Sequence, residues 1–247
     1  MLVLALDTTS RPGSVALLRD GVLLAERAGE PSRPPGQRLP GDIAALLREF
    51  DLRVADIDLY AVTAGPGSFT GIRVGIATIQ GLALANARKV VSVSALEALA
   101  FRGPASNVAC VAAWIDAQRG EVFAALYAAA HAGGGAPDPA TGLVELVPPV
   151  VGRPGEVLDA WRDRGGLAKT PLLFTGDGAA AYRSVIEQAL GAHARIMDPP
   201  ACLSSAVGEI ATARAACGGA LSPHAIMPVY VRRSDAEIAR EKHDARR

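Results

Sequence analysis

Hydrophobic and polar positions divide the first hundred residues into short apolar runs separated by turn signals. Residues 2–6 form a continuous apolar run closed by Asp7 and a turn cluster at 8–13, the pattern of a buried strand. Runs at 15–18 and 22–25 follow, split by Asp20-Gly21, which supplies the positive φ of a tight hairpin turn. This order predicts an antiparallel meander and excludes the strand–helix opening of a nicotinamide-binding domain. Leu39, Ile43, Leu46, Leu47 and Phe50 recur at helical spacing, and the helix is expected to start near Pro40, because proline is tolerated in a first turn. A strand is predicted over 57–63 and a break at Gly65-Pro66-Gly67. Ser68 suits the N-cap of a helix running to about Ala87. A strand at 89–93 leads into Ser94-Ala95-Leu96-Glu97, which reads as a capping box. Arg102-Gly103-Pro104 reads as a linker, giving lobes of 1–103 and 104–247.

The second half repeats the scheme. An apolar run at 108–115 ends in Asp116, a polar turn Ala117-Gln118-Arg119-Gly120 follows, and strands are expected at 122–127 and 143–147. Asp7 and Asp116 hold equivalent places, an internal duplication. A Gly/Pro-rich stretch at 132–139 reads as an insertion. Beyond it come a helix at 156–164, a strand at 172–174, the loop Thr175-Gly176-Asp177-Gly178, a helix to Leu190 and another at 204–217. The segment Pro228-Val229-Tyr230-Val231-Arg232 precedes a charged tail, expected to be mobile.

Composition narrows the class. Half of the 247 residues are hydrophobic but only 4% aromatic, so a sizeable core must be built from Ala, Val, Leu and Ile. Lys plus Arg and Asp plus Glu are 25 each, which excludes a generally basic nucleic-acid coat but not a local patch. Arg11, Arg33, Arg38, Arg73 and Arg119 are candidates for such an RNA-facing patch, against the plainer reading of solubilising arginines. Cys110, Cys202 and Cys217 form no C-x-x-C and read as small buried side chains in a reducing compartment. No apolar run approaches the ~20 residues of a membrane span, and the first residues lack a signal peptide's basic region, so the expected location is cytoplasmic.

Candidate chemistry is sparse. Asp7 with Thr8 and Thr9 at a strand end can hold a magnesium-bound phosphate, or Asp7 can simply cap its own turn. Gly65–Gly71 lies where an anion-binding turn belongs, but Pro66 removes a donor and the spacing is not G-x-G-x-x-G. Gly176 and Gly178 can bend round a phosphate or form an ordinary loop. No P-loop and no G-x-S-x-G nucleophile elbow is present. His131, His193, His224 and His243 are scattered, so no metal site is expected. The helix from Phe69 says most. Phe69, Ile72, Ile76, Ile79 and Ala83 share one face. Gly71, Gly75, Thr78, Gly81 and Ala85 share another, interleaved with Val74 and Leu82. Interior glycines cost about 0.5–1 kcal/mol each relative to alanine, and close approach of another helix accounts for them. That approach can come from a partner or from the chain's own first helix.

These residues together resemble the TsaB (YeaZ) family. The resemblance is carried by Leu4-Ala5-Leu6-Asp7-Thr8-Thr9, by the run from Gly65 through Gly75, GPGSFTGIRVG, and by Gln80-Gly81-Leu82-Ala83. It continues in Val93-Ser94-Ala95-Leu96, in Asp116 with Arg119-Gly120-Glu121-Val122, and in Pro228-Val229-Tyr230-Val231-Arg232. The family's pattern has Arg where Gln118 stands, Tyr where Phe123 stands, and often His where Pro34-Pro35-Gly36 precedes the first helix. The resemblance implies an α/β, actin-like (ASKHA) fold of two ribonuclease-H-like lobes, mixed sheets flanked by helices, with the C-terminal segment returning to the first lobe. It implies a non-catalytic scaffold for the N6-threonylcarbamoyladenosine modification of tRNA. Such a chain pairs with the metal-bearing transferase TsaD, is joined by the ATPase TsaE, meets tRNA only through the complex, and forms a homodimer when alone. Implied interface residues are Leu39, Ile43, Leu46, Gly71, Arg73, Val74, Gly75, Thr78, Gly81, Leu82 and Ala85. Asp7, Thr8, Thr9, Asp116, Gly176 and Gly178 are the vestige of a nucleotide site. No cofactor or metal is expected on this chain alone, and ATP or ADP with magnesium belongs to the assembled complex. The rival reading is an actin-like small-molecule kinase or a peptidase-like enzyme.

Overall fold

The computed structural model describes residues 1–103, 109–129, 135–162 and 171–232. Five strands of the first half form one sheet: β1 (Leu2–Asp7), β2 (Ser14–Arg19), β3 (Val22–Ala28), β4 (Leu59–Gly65) and β5 (Lys89–Ser94), in the order β3-β2-β1-β4-β5. β1, β2 and β3 pair antiparallel, whereas β4 and β5 run parallel to β1. Asp20 and Gly21 both take positive φ, 53° and 81°, the geometry of a two-residue hairpin turn. β6 (Cys110–Asp116), β7 (Val122–Ala129), β8 (Leu143–Gly152), β9 (Leu172–Thr175) and β10 (Ala194–Ile196) form a second sheet, β10-β9-β6-β7-β8. Its middle strand β6 is antiparallel to β7 and parallel to β9, so the two sheets have one topology. This is the duplicated, ribonuclease-H-like pair of lobes of an actin-like fold.

Helix α1 (Pro35–Arg48) starts earlier than its apolar spacing suggests. Pro35 stands at the first helical position, where a missing N–H costs nothing. Arg38 fastens that extra turn: it is buried, its Nη1 donates to Asp42 Oδ2 at 2.6 Å, and its Nη2 reaches the Pro12 carbonyl. Phe50 lies beyond the helix and is exposed. α2 (Phe69–Ala85) is capped by Ser68, whose Oγ accepts from Gly71 N–H at 3.2 Å. On the second lobe's outer side are α4 (Pro154–Arg162), α5 (Asp177–Ala181) and α6 (Arg183–Leu190). There Trp114 is fully buried, with Phe174 and Trp161 edge-on at 5.3 and 6.0 Å. Cys110 is buried, Cys202 is half-buried and Cys217 exposed, so the expectation of three buried cysteines holds for one.

The lobes share one inner core. α3 (Ala95–Phe101) packs on β6 and β7, and α7 (Ser204–Ala216), from the second half, covers β1, β2, β4 and β5. Thus the strands divide between residues 103 and 110, while the inner helices do not respect that boundary. After α7 the chain stays on the first lobe. Leu221 pairs with Val90, Gln80 Nε2 donates to the Pro223 and Ile226 carbonyls, and Val229 N–H donates to Ala64 O at 2.8 Å. The insertion at 132–139 is described only from Gly135 onward. The expected tail beyond Arg232, with His131 and His243, lies outside the described residues.

The expected capping box at Ser94 and Glu97 does not form. Ser94 makes no side-chain cap bond, and Glu97, 8% exposed, turns inward to Arg214. Arg214 Nη2 donates to Glu97 Oε1 at 2.5 Å and to Asp138 Oδ2 at 3.0 Å, tying α3, α7 and the turn before β8 together. Burial pushes the Glu97 carboxyl above 4.5, against the pull of Arg214. A raised carboxylate favours the protonated folded state. Its contribution is therefore fully present below the unfolded pKa and is lost as pH rises through the folded value. Glu97→Gln is expected to flatten the loss of stability that sets in as pH rises above the ordinary carboxylate range. Urea midpoints measured across that window check this, and an unchanged slope refutes it.

Candidate functional site

Two surfaces need to be distinguished, because α2 contributes to both. The first contact is internal. Asp7, 3% exposed at the end of β1, accepts at Oδ1 from Thr9 N–H at 3.0 Å, Thr9 Oγ1 at 2.6 Å and Thr63 Oγ1 at 2.8 Å. These bonds hold the β1–β2 loop against the start of α2. Gly67, Gly71 and Gly75, four residues apart, lie under it. A Cβ on Gly71 would stand 2.0 Å from the Thr8 carbonyl oxygen, and one on Gly75 2.2 Å from Thr8 Oγ1. Ser68 N–H also donates to Thr9 O at 2.8 Å. The narrow flank of the helix is thus covered by the chain's own loop, which corrects the assignment of Gly71 and Gly75 to a partner interface.

Leu39, Ile43 and Leu46 are corrected in the same way. All three are buried in the core between α1 and the sheet, at most 4% exposed, so their side chains cannot meet a partner. Of the remaining predicted positions, Val74, Thr78 and Leu82 are half-buried, and Gly81 and Ala85 are exposed. No atom of a described residue lies within 4 Å of a Cβ built on Gly81. Ala77 and Leu84 are exposed beside it, and on α1 so are Pro40, Gly41, Ala44 and Ala45. Arg73 and Phe69 lie elsewhere, at the mouth of a cleft. Phe69 is 40% exposed rather than in the core, stacked on Tyr230 at 5.0 Å, with the Arg73 guanidinium 3.8 Å over its ring. Arg73 Nε donates to Tyr230 Oη at 2.7 Å. Nothing in local spacing announces a pairing across 157 positions.

That cleft is the second surface. It runs between the lobes, has a volume of about 970 Å³, and is lined by the loop 9–11, the segment 31–35, the start of α2, the hairpin 116–119, Asp177 and residues 229–232. Arg11, Arg33, Arg73 and Arg119 all line it, joined by Arg232, whereas Arg38 is buried away from it. The hairpin tip is unusual: Gln118 and Arg119, neither of them glycine, both hold positive φ, 60° and 61°. Asp116 stabilises it, accepting at Oδ1 from Gln118 N–H at 2.9 Å and at Oδ2 from Gln118 Nε2 at 2.8 Å. The departure from the family pattern at Gln118 therefore has a structural use. Phe123, a second departure, lines the cleft under the Arg232 guanidinium.

A magnesium-bound nucleotide does not fit the residues expected for it. Asp7 is spent on three internal donors, and Thr8 is fully buried. Thr9 reaches the cleft, but its hydroxyl is turned to Asp7. Gly176 and Gly178 are glycines because β6 is close: a Cβ would come within 2.1 Å of Trp114 O and 2.7 Å of the Ile115 carbonyl carbon. Asp177 lines the cleft, and Asp116 N–H and Gly178 N–H donate to its Oδ1 at 3.0 and 2.8 Å. Surrounding protein nevertheless pushes that carboxyl up, which weakens it as an anion. Among the described residues no group of three His, Cys, Asp or Glu is arranged to hold a metal. No helix among them is long and apolar enough to cross a membrane.

Two lobes of one topology, sharing their inner helices and open at a cleft, define an actin-like protein. The family model described as TsaD, tRNA N6-adenosine threonylcarbamoyltransferase, matches residues 31–240. The tRNA threonylcarbamoyladenosine biosynthesis protein TsaB of Bacillus subtilis is 29% identical over 191 residues, 77% of each chain. Escherichia coli TsaB is 40% identical over 128 residues, 51% of this chain and 55% of its own. The structure of YeaZ from Pseudomonas aeruginosa aligns with a TM-score of 0.68 and 28% identity, covering 93% of this chain and all of that one. Another from that organism, described as an uncharacterized protein with similarity to peptidase YEAZ, reaches 0.73 and 29%, covering 94% and 99%. The chain belongs to this family, and its relatives place it on the TsaB (YeaZ) side of it.

Proposed function

We propose that this protein is a non-catalytic docking subunit in the biosynthesis of N6-threonylcarbamoyladenosine in tRNA. Its partner is TsaD, with TsaE joining the pair, and it self-associates through the same surface when TsaD is absent. The observation that carries this reading is Gly81. It sits in the interior of a 17-residue helix, exposed, with no described residue within 4 Å of the place of a Cβ. Alanine there would stabilise the helix by about 0.5–1 kcal/mol, so the isolated chain gains nothing from glycine. A partner's backbone lying against Ala77, Gly81, Leu84 and Ala85 does gain from it, because a small residue lets a helix approach closely. The small outer residues of α1, Pro40, Gly41, Ala44 and Ala45, extend that surface. Shape and apolar burial, at about 25 cal/mol per Å² before association costs, drive such docking.

Titration of the full chain with TsaD tests the proposal. Gly81→Leu is expected to weaken binding by about 2 kcal/mol, roughly thirtyfold in Kd, with no loss of thermal stability. Undiminished binding by this variant would sink the docking surface. The enzyme reading is served by the same preparation. Calorimetry with ATP and magnesium is expected to show no binding, since the phosphate-facing residues are internally committed. Tight binding with turnover would favour a kinase. The peptidase wording attached to one P. aeruginosa structure belongs to that protein, and no serine of this chain stands in a nucleophile elbow.

A further inference from the structure

We propose that the cleft between the lobes binds a single-stranded segment of RNA, with phosphates on Arg11 and Arg33 and a base against the ring of Tyr230. The charge balance of the whole chain is even, yet this cleft holds five arginines and two aspartates. The excess is local and faces one space. Arg73 and Arg232 are engaged within the chain, by Tyr230 and by Ala117 O with Glu121. Arg11 and Arg33 are exposed, and no ion pair or hydrogen bond to a described residue occupies either side chain. They lie on two separate loops of the first lobe, and Arg119 stands on the second lobe at a hairpin tip held in left-handed backbone. Left-handed backbone is strained for residues other than glycine, and the turn keeps Arg119 at the cleft.

The distribution selects the ligand. Backbone turns able to cradle a compact polyphosphate are closed here, by Thr9 over Asp7 and by β6 against Gly176 and Gly178. Anions therefore meet guanidinium groups spread over the walls, which suits phosphates spaced along a strand. Beside them Phe69, Tyr230 and Arg73 make a stacked aromatic and cationic platform at the rim, with Tyr230 41% exposed. Rings and arginines alternating along an open groove are how single strands are held. An acidic peptide would use the arginines but gain little from the ring. The choice of RNA rests on the tRNA-modification reading above. The surface itself is separate from the docking face, which lies farther along α2.

The test uses the full chain and a fluorescein-labelled, mixed-sequence 12-nucleotide RNA, read by anisotropy across a salt series. Two phosphate contacts predict a log–log salt slope of about −1.4, falling by about 0.7 for each arginine removed. The double variant Arg11→Glu with Arg33→Glu is expected to bind at least about tenfold more weakly, and Tyr230→Leu about fivefold more weakly. Both arginines are exposed and have no partner among the described residues, so thermal melts of the double variant are expected to match the parent. Gly81→Leu is expected to leave RNA binding unchanged, which separates this site from the docking face. No RNA binding at low salt by a protein that still binds TsaD would overturn the cleft assignment alone. Binding indifferent to both arginine substitutions would overturn it too, as would polyglutamate displacing the RNA at equal charge concentration.

Discussion

Gly71→Ala is expected to destabilise the protein by about 2–3 kcal/mol, whereas the same change at Gly81, ten residues along the same helix, should stabilise it by about 0.5–1 kcal/mol. The intrinsic propensity gain is equal at the two sites. The difference lies in what meets the new methyl group. At Gly71 it would stand 2.0 Å from the Thr8 carbonyl oxygen and 3.2 Å from Ser68 Cβ. Both belong to the junction of the β1–β2 loop with the helix cap, so relief requires the backbone to move. At Gly81 no described residue lies within 4 Å of the methyl group. Urea unfolding of the two variants decides the matter, and effects of the same sign would mean that the loop does not seat on this flank. The contrast also separates fold from function. A variant at Gly71 or Gly75 that loses TsaD binding would report a displaced loop, while a Gly81 variant reports the docking face.

Asp7→Ala is expected to cost about 3 kcal/mol or more. The substitution strands three buried donors, Thr9 N–H, Thr9 Oγ1 and Thr63 Oγ1, and each unsatisfied buried group costs about 1–3 kcal/mol. It also frees the loop that seats on Gly67, Gly71 and Gly75. Asp7→Asn keeps one acceptor oxygen and should lose markedly less. A residue retained to hold a magnesium-bound phosphate would behave otherwise: its removal would spare, or raise, the stability of the ligand-free chain. Thermal melts of the two variants therefore test the internal role of Asp7 directly, and an Asp7→Ala protein as stable as the parent would refute it.

Much of the architecture was legible because local chemistry and global fold agree. Strand β1 ends where Asp7 interrupts an apolar run, the Asp20-Gly21 turn has the two positive φ values its composition suggests, and Ser68 caps α2 as its position implies. The duplication glimpsed in Asp7 and Asp116 is a shared topology of both sheets. The short strand β10 left no readable signal, being three residues with little periodicity. The candidate sites were harder. Leu39, Ile43 and Leu46 were legible as a helical stripe, but a stripe that covers the chain's own sheet has the same spacing as one that covers a partner. Glu97 has the position of a capping residue and the environment of a buried ion-pair member, because Arg214 arrives from 117 residues away.

By itself the sequence determined the elements, their order, the doubled meander and the family, since periodicity, turn chemistry and a long glycine-rich motif are local properties of a chain. Only the tertiary structure decided which glycines of α2 are spent inside the molecule. Helical spacing places Gly71, Gly75 and Gly81 on neighbouring lines of one cylinder. What lies against Gly71 and Gly75 is a loop about sixty residues earlier in the chain, whose path depends on Asp7 and Thr63 meeting across two strands. The tertiary structure likewise gathered Arg11, Arg33, Arg73 and Arg119 around a single opening and buried Arg38. Charge acts through distance in space, and distance in space is what the fold supplies.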